Sequence, residues 1–280
     1  MLFTKMQGIG NDFIVVNCLN DPLFEDRLTE ISIKVNDRKF GIGGDGLILV
    51  LPSRMADFRM RMFNPDGSEA EMCGNGIRCF AKYVYDRKLV SDSQVKVETL
   101  AGVKMLKLIT RGGKVENVRV DMGQPRLRRS EIPMRGEDTE KVVGEPLKAD
   151  GKRYEITAVS MGNPHVVIFE DNIDAFDLAR VGPQIENHKS FPQRTNLQVV
   201  KVCSNSEIIL RTWERGAGVT LACGTGACAA VVASALNGKT VKRVNVHLPG
   251  GDLLVEWMGD NRVMMTGAAE EVFEGEIPLE

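Results

Sequence analysis

Segments with hydrophobic residues at every second position, as in strands, alternate with segments at helical spacing. The same order of segments recurs about 150 residues later. Residues 59–64 alternate as a half-buried strand does, and residues 209–214 repeat the pattern. Ten residues further on, a glycine-rich turn opens an apolar run at 77–84, and again at 227–236. Such runs are typical of buried helices. The pattern predicts two similar halves, each with several strands and one central helix.

Other segments fall on nearly the same offset. Asn11 and Asn163 each lie at the edge of a β-branched strand, 163 − 11 = 152 positions apart. Gly46 corresponds to Asn196 and Asn64 to Glu214, both at an offset of 150. A repeat of this length indicates a duplicated domain, because solenoid units run about 20–50 residues.

The remaining patterns complete each half. Residues 26–40 have apolar positions at helical spacing, and residues 47–51 read as a strand. Short alternating segments at 94–120 and 241–265 predict a meandering sheet. The expected fold class is therefore mixed α/β (α+β), with two pseudosymmetric domains that each wrap a curved mixed sheet around a helix, and an active site in the cleft between them.

The domain boundaries follow from the repeat and from local composition. We expect a first half over residues 1–120, to which a tail of residues 268–280 returns, because that tail has little core of its own. The second half is expected over 121–267. The charged, proline-bearing stretch 124–152 predicts a crossing on the surface between the halves.

Composition excludes several classes of function. Lys and Arg number 36 against 38 Asp and Glu, with both signs interspersed, so no nucleic-acid or membrane partner is expected. No apolar run approaches the roughly 18 residues of a membrane span, and the N-terminus lacks a signal-peptide pattern. We expect a cytoplasmic protein whose six cysteines are reduced. The three histidines lack metal-ligand spacing, so no metal site is predicted.

The candidate chemistry lies in a repeated cysteine motif. Cys73 begins Cys-Gly-Asn-Gly before the first apolar run, and Cys223 begins Cys-Gly-Thr-Gly before the second. Each thiol therefore sits at a predicted helix N-terminus, where free amides and the helix dipole lower a thiol pKa below about 8.5. The same amides can hold a carboxylate.

Two such motifs that face each other predict acid–base chemistry without a cofactor. A ligand whose α-carboxylate is bound by both sets of amides presents its α-carbon to two sulfurs on opposite faces. One thiolate removes the α-proton and the other thiol delivers a proton, so the stereocentre inverts. The buried amides must stabilise the developing carbanion. No context for pyridoxal phosphate appears in the sequence.

Several other residues have two interpretations. Cys18, Cys79, Cys203 and Cys228 lie in or beside apolar runs and read as inert. His165 either tunes the Cys73 thiol or is a capping or strand-edge residue. Glu214 either assists Cys223 or binds an ammonium group.

The motifs GIGNDFIVV, FNPDGSEAEMCGNGIRCFAKYV, GNPH, TN, WERG and ACGTGACA, in this order and spacing, resemble those of the diaminopimelate epimerase family over nearly the whole chain. The resemblance implies cofactor-independent interconversion of LL-2,6-diaminopimelate and its meso form, on the path to lysine and cell-wall precursors. It implies a pseudosymmetric two-domain fold, a homodimer, and Cys73 and Cys223 as the acid–base pair.

The resemblance also implies a set of substrate contacts from both halves. These are Asn11, Asn64, Gly74, Asn75, Asn163, Asn196, Glu214, Arg215, Gly224 and Thr225. One departure is Gly46, where several members of the family have Gln, so a side-chain contact from that position is missing here. Arg215 suits a carboxylate and Glu214 an ammonium, as the second amino-acid head of diaminopimelate requires.

Three alternatives remain open at this stage. A proline racemase or hydroxyproline epimerase of the same fold would bind a substrate with a single amino-acid head. From other classes, the chain could be a redox protein with Cys73 and Cys223 as a dithiol, or a non-catalytic amino-acid-binding protein.

Overall fold

The computed structural model describes residues 1–21, 23 and 25–279. Contacts divide the chain into two units, Met1–Asp121 with Thr266–Glu280 and Met122–Met265. The expected halves, 1–120 with 268–280 and 121–267, differ from these bounds by one or two residues.

The elements follow the chain in this order. The helices are α1 (Leu28–Asn36), α2 (Gly74–Asp86), α3 (Leu178–Glu186) and α4 (Gly224–Leu236). The strands before α3 are β1 (Leu2–Gly8), β2 (Asn11–Asn17), β3 (Gly46–Leu51), β4 (Phe58–Phe63), β5 (Glu69–Ala70), β6 (Gln94–Thr99), β7 (Gly102–Arg111), β8 (Lys114–Asp121), β9 (Val142–Ala149), β10 (Lys152–Ser160) and β11 (Pro164–Phe169). Those after it are β12 (Asn196–Ser204), β13 (Glu207–Glu214), β14 (Gly218–Thr220), β15 (Arg243–Leu248), β16 (Gly251–Trp257), β17 (Val263–Ala268) and β18 (Glu270–Glu276).

The strands of the two units pair in the same order. In the first unit, β18, β1, β2, β3, β4, β6, β7 and β8 pair in sequence, with β2–β3 and β4–β6 parallel. In the second, β9, β10, β11, β12, β13, β15 and β16 pair in sequence, with β11–β12 and β13–β15 parallel. The predicted mixed sheet is confirmed in each unit, and the tail pairs with β1 as expected.

Each sheet wraps around the helix that follows a cysteine motif. α2 contacts β1, β2 and β18 as well as β7 and β8, which stand at the other end of its sheet. Its residues Ile77, Phe80 and Val84 are inaccessible to solvent. α4, built mainly of Ala and Val, packs in the same way against β10 to β13, β15 and β16. α4 is buried on nearly every side, which explains its uniformly apolar run, whereas α2 also carries Arg78, which is buried, and Lys82, which is half-buried.

A second helix in each unit packs on the outside of its sheet, and the sequence prediction was incomplete here. The helix expected over 26–40 has its α-helical part only at Leu28–Asn36. α3 was not predicted at all. It begins where the Asp177 carboxylate accepts a hydrogen bond from the Arg180 N–H, and a proline lies within it. No helix in the described part of the chain is long and apolar enough to span a membrane.

The expectation that residues 124–152 form only a surface crossing was wrong. The stretch contains the whole of strand β9, and Ile132 and Val142 lie in the core beneath α3. Its charge is partly internal, since the buried Arg129 guanidinium pairs with Glu145. A charged segment can therefore contribute to a core when its ions pair with each other.

Candidate active site

Cys73 is the N-cap residue of α2, in the position that the motif predicts. Its backbone is extended, and its sulfur accepts a hydrogen bond from the Gly76 N–H at 3.4 Å. Gly76 lets the helix start lie against the sheet, because a Cβ there would lie 3.1 Å from the Ile48 Cδ1 atom. An amide directed at sulfur at a helix N-terminus favours negative charge on that sulfur.

Asn11 and Asn75 are brought to Cys73 by a chain of side-chain hydrogen bonds. Arg78 Nη1 donates to Asn75 Oδ1 at 3.0 Å, and Asn75 Nδ2 donates to Asn11 Oδ1 at 3.2 Å. Asn11 Nδ2 donates to the Asp45 carboxylate at 2.5 Å. Because a guanidinium only donates and a carboxylate only accepts, both amides have one possible orientation. Asn11 Oδ1 then lies 3.9 Å from the Cys73 sulfur and accepts from its thiol.

Two other predicted positions in the first unit lie in turns and strand ends. Asn64 follows β4 and donates from Nδ2 to the Ser68 hydroxyl at 3.0 Å, within the hairpin turn. Gly46 opens β3, and a Cβ there would lie 2.8 Å from Met62 Cε. A glutamine at position 46 would therefore require Met62 to move. Glycine at this position is compatible with the neighbouring Met62, where the glutamine of several relatives is not. Gly74 is buried as the first residue of α2.

Cys223 is the N-cap of α4 and is far more enclosed than the motif indicates. Only 5% of its surface is exposed, and its sulfur lies 3.6 Å from the Thr225 hydroxyl. Burial raises its pKa well above the ordinary value, and the negative charge of Glu214 raises it further. The expected lowering of this thiol pKa was wrong, because burial and a like charge outweigh the helix amides. Gly224, the first residue of α4, is also buried.

The Asn196 side chain is hydrogen-bonded to the main chain of Arg215. Asn196 Nδ2 donates to the Pro164 carbonyl at 2.8 Å, and its Oδ1 accepts from the Arg215 N–H at 2.9 Å. Arg215 Nη1 donates to the Gln193 carbonyl at 2.8 Å, and its guanidinium has no other hydrogen-bond acceptor in the part of the chain that the structure describes. Asn196 thus fixes the chain that carries Glu214 and Arg215.

The raised pKa of Cys223 leads to a test of Glu214. Glu214 accepts a hydrogen bond from the Thr220 hydroxyl at 2.6 Å. Replacement of Glu214 by Gln removes a negative charge that disfavours the thiolate, so the pKa of Cys223 should fall. The measurement is the pH dependence of iodoacetamide labelling at the Cys223 peptide, by mass spectrometry, in a Cys73→Ser background. An unchanged or higher midpoint in Glu214→Gln contradicts this role, and Glu207→Gln, at the far end of β13, is the control.

His165 is fully buried and uses both ring nitrogens within its own unit. Nε2 lies 3.0 Å from Asn163 Oδ1, and Nδ1 lies 3.2 Å from Gln198 Nε2. Burial, followed by the charge of Arg215, lowers its pKa to about 3. The ring is therefore neutral near pH 7, and neither nitrogen is left for the Cys73 thiol. These contacts favour a role in positioning over the direct thiol tuning considered above.

Sequence reasoning missed Gln198 and Thr212, which continue the chain of contacts from His165. The Thr212 hydroxyl donates to Gln198 Oε1 at 2.7 Å, and both residues are buried. A signal was present in the repeat, because the equivalent positions in the first half are Ile48 and Met62. Polar residues at core positions of only one copy point to a function.

The remaining four cysteines form no disulfide bond and are placed as inert residues are. Cys18, Cys79 and Cys228 are buried, and burial raises the pKa of Cys79 to about 12. Cys203 is exposed near the end of β12. Across the described ranges, no three His, Cys, Asp or Glu side chains are grouped as metal ligands.

Known structures share this fold. A Bacillus anthracis phenazine biosynthesis protein of the PhzF family superposes with a TM-score of 0.71 at 19% identity, covering 100% of this chain and 99% of that one. A probable proline racemase from Agrobacterium radiobacter gives 0.70 at 15% identity, covering 100% and 93%. The expected fold class is thus confirmed. With one cysteine-capped helix in each unit, the chain is a duplicated protein of the mixed α/β class.

The sequence comparisons identify the family. The family model described as diaminopimelate epimerase matches residues 3–128 and 157–272, and the chain belongs to this family. A diaminopimelate epimerase from Pelotomaculum thermopropionicum is 56% identical over 278 residues, 99% of each chain. Another, from Methanococcus maripaludis, is 50% identical over 280 residues, 100% of each chain. The resemblance recognised in the motifs is confirmed.

Proposed function

We propose that this chain is a cofactor-independent epimerase that interconverts LL-2,6-diaminopimelate and meso-diaminopimelate. The observation that carries the proposal is the pair of equivalent helices, α2 and α4, each with a cysteine as its N-cap residue. Membership of the family and identities above 50% to diaminopimelate epimerases over the full chain support it.

The two thiols supply the proton chemistry. In the forward direction one cysteine, as thiolate, takes the α-proton: the C–H bond breaks and an S–H bond forms. The second cysteine gives its thiol proton to the opposite face of the carbanion and becomes the thiolate. The raised pKa of Cys223 means that it holds its proton before the substrate binds, as the donor must. Donors of this kind contribute about 10²- to 10⁴-fold to a rate.

The helix N-termini explain how so weak a carbon acid can be ionised. Backbone amides at the starts of α2 and α4 are fixed in place, and the first residue of each helix, Gly74 or Gly224, has no side chain. Amides in a dry site stabilise charge that spreads onto the carboxylate as the proton leaves. Asn11 and Asn75 stand beside Cys73 with their orientation set by Arg78 and Asp45.

The second amino-acid head is bound by residues that differ between the two copies of the repeat. Arg215 is held by its main-chain N–H and by one guanidinium nitrogen, Nη1, and the donors on its other guanidinium nitrogens suit a carboxylate. Glu214 and Asn64 differ although they are equivalent positions, and they are candidates for the ammonium group. This asymmetry lets one centre be inverted while the other is read as a fixed configuration.

The proposal includes the setting in which the reaction runs. The enzyme acts as a cytoplasmic homodimer that supplies lysine and peptidoglycan precursors. The absence of nucleic-acid, membrane and metal partners remains an expectation from composition.

An exchange assay tests the assignment of substrate. The protein is incubated with LL-diaminopimelate in D₂O, and α-deuteration is followed by NMR beside a parallel sample with L-proline. We expect deuteration of diaminopimelate and none of proline. Absence of exchange contradicts an epimerase, and equal exchange of proline favours the racemase alternative. A dithiol redox protein would instead show a two-electron thiol titration.

A further inference from the structure

The buried contacts of the second unit include a chain of four polar side chains that ends at the half-buried Asn163, one of the substrate contacts implied by the family motifs. The Thr212 hydroxyl donates to Gln198 Oε1 at 2.7 Å, and Gln198 Nε2 donates to His165 Nδ1 at 3.2 Å. His165 Nε2–H then donates to Asn163 Oδ1 at 3.0 Å. A neutral imidazole has one donor and one acceptor nitrogen, so the bond from Gln198 decides which nitrogen carries the proton.

The first unit shows that the fold does not need these polar groups. His165 pairs with Asn196 across β11 and β12 as Phe13 pairs with Gly46 across β2 and β3. Gln198 pairs with Thr212 as Ile48 pairs with Met62. We call His165, Gln198 and Thr212, the three buried members of this chain, the relay. Their equivalents in the first unit are apolar and buried: Phe13, Ile48 and Met62.

Polar groups in a core carry a desolvation cost that apolar residues avoid. His165 and Gln198 are completely buried, and Thr212 is 2% exposed. The start of α4 is also shaped around them, because a Cβ on Gly226 would lie 2.5 Å from Gln198 Nε2. The relay therefore underlies the first turn of the helix that presents Cys223. A costly arrangement in only one copy of the repeat calls for a functional reason.

We propose that Gln198 and His165 are positioning residues that hold Asn163 with its oxygen inward, so that its NH₂ group is a fixed donor to a carboxylate of the substrate. The inference rests on the proposed function for the identity of that substrate. Asn163 is only partly buried, and its Nδ2 atom has no acceptor among the described residues. In the first unit, Asn11 is instead fixed by contacts with Asn75 and Asp45, so the two equivalent asparagines reach a defined orientation by different means.

The tautomer of His165 tests the relay independently of any activity. With ¹⁵N-labelled histidine only three residues give signals, and the His165 signals are those that disappear in His165→Gln. We expect a protonated Nε2 and an unprotonated Nδ1 in the wild-type protein, unchanged between pH 5 and 8. A protonated Nδ1 overturns the proposal, because Asn163 would then have to turn its oxygen outward.

A matched pair of substitutions tests the consequence for the reaction. Gln places an NH₂ group where His165 Nε2–H lies, whereas Met fills the space without a donor. We expect kcat/KM for LL-diaminopimelate to fall about 10- to 100-fold in His165→Met and no more than about threefold in His165→Gln, with the pH profile unmoved in both. Equal losses in the two variants, or a shifted pH profile in His165→Gln, mean that the imidazole itself is needed and overturn the proposal.

A triple variant separates positioning from support of the fold. His165→Phe and Gln198→Ile introduce the residues of the first unit. Thr212→Val replaces the hydroxyl by a methyl group, because Met62 of the first unit lies against Gly46, whose counterpart Asn196 has a side chain. Removal of all partners avoids an orphaned polar group. We expect a melting temperature at or above that of the wild type and a kcat/KM at least as low as that of His165→Met. A folded triple variant with wild-type activity contradicts the proposal. Wild-type protein inactive on diaminopimelate would instead overturn the proposed function, while the tautomer would still report on the relay.

Discussion

Replacement of Cys223 by Ser should lower kcat for epimerisation by about 10³-fold or more. Serine fits the same N-cap position, so the fold should be kept, but its hydroxyl gives and takes protons far less readily than a thiol. Cys73→Ser should show a loss of the same order, because each thiol is the donor in one direction of the reaction and the base in the other. The measurement is the initial rate in both directions, from the LL and the meso isomer.

The control for these variants is Cys203→Ser. Cys203 is exposed near the end of β12 and has no part in the proposed chemistry, so its replacement should leave both rates unchanged. Retention of more than a tenth of the activity in Cys223→Ser, with the fold verified by its melting temperature, contradicts the assignment of Cys223 as an acid–base group.

Replacement of Arg215 by Met should raise KM for diaminopimelate by about 10- to 100-fold, because one charge-assisted bond contributes about 1.5–3 kcal/mol. Arg215→Lys should recover part of the loss, since an ammonium keeps the charge but lacks the planar fork. The backbone bond to Asn196 is unaffected by either change, so the loop should keep its place. The measurement is KM and kcat for all three proteins.

Two comparisons isolate the distal head of the substrate as the cause. An analogue without the distal carboxylate should bind the wild type and Arg215→Met equally well. Arg243→Met removes a guanidinium that is mostly exposed and weakly paired with Glu256, and KM should not change. If KM for the analogue rises as much as KM for diaminopimelate, Arg215 does not bind the distal carboxylate.

Much of the fold was predictable because the chain contains two copies of one domain, and the two copies can be aligned with each other. The offset of about 150 aligned the strands that begin at Gly46 and Asn196, and it placed Cys73 and Cys223 at the starts of equivalent helices. The observed registers repeat this alignment, with Ile48 opposite Met62 and Gln198 opposite Thr212. Cysteine as an N-cap residue was predictable for the same reason, since a glycine-rich turn before an apolar run marks a helix start.

The misses share a physical cause, which is that they depend on tertiary contacts. α3 is short and contains Pro183, and its glycine, Gly182, lies against the Trp213 ring, so local patterns do not reveal it. The core role of residues 124–152 depends on the pairing of Arg129 with Glu145. The acidity of Cys223 is set by burial and by Glu214, and no local pattern reports on burial of that kind.

The polar relay shows where a repeat becomes most informative. The two halves have the same packing. When a position is apolar in one copy and polar in the other, the fold does not require the polar residue, and a functional reason for it is more plausible. Phe13 and His165 are such a pair, as are Ile48 and Gln198. In the function that we propose, the symmetric residues carry the proton transfers, and the asymmetric ones set the substrate and orient the groups that bind it.

The fate of the transferred proton tests the central claim, that two thiols act on opposite faces. LL-diaminopimelate is converted in D₂O, the reaction is stopped within the first few per cent of turnover, and deuterium is measured separately in product and in unreacted substrate. We expect meso product with one solvent deuterium at the inverted carbon, and LL substrate almost free of deuterium, because the proton removed by one sulfur is not the one delivered by the other. Product that retains the hydrogen of the substrate would show a single base acting on both faces and contradict the account.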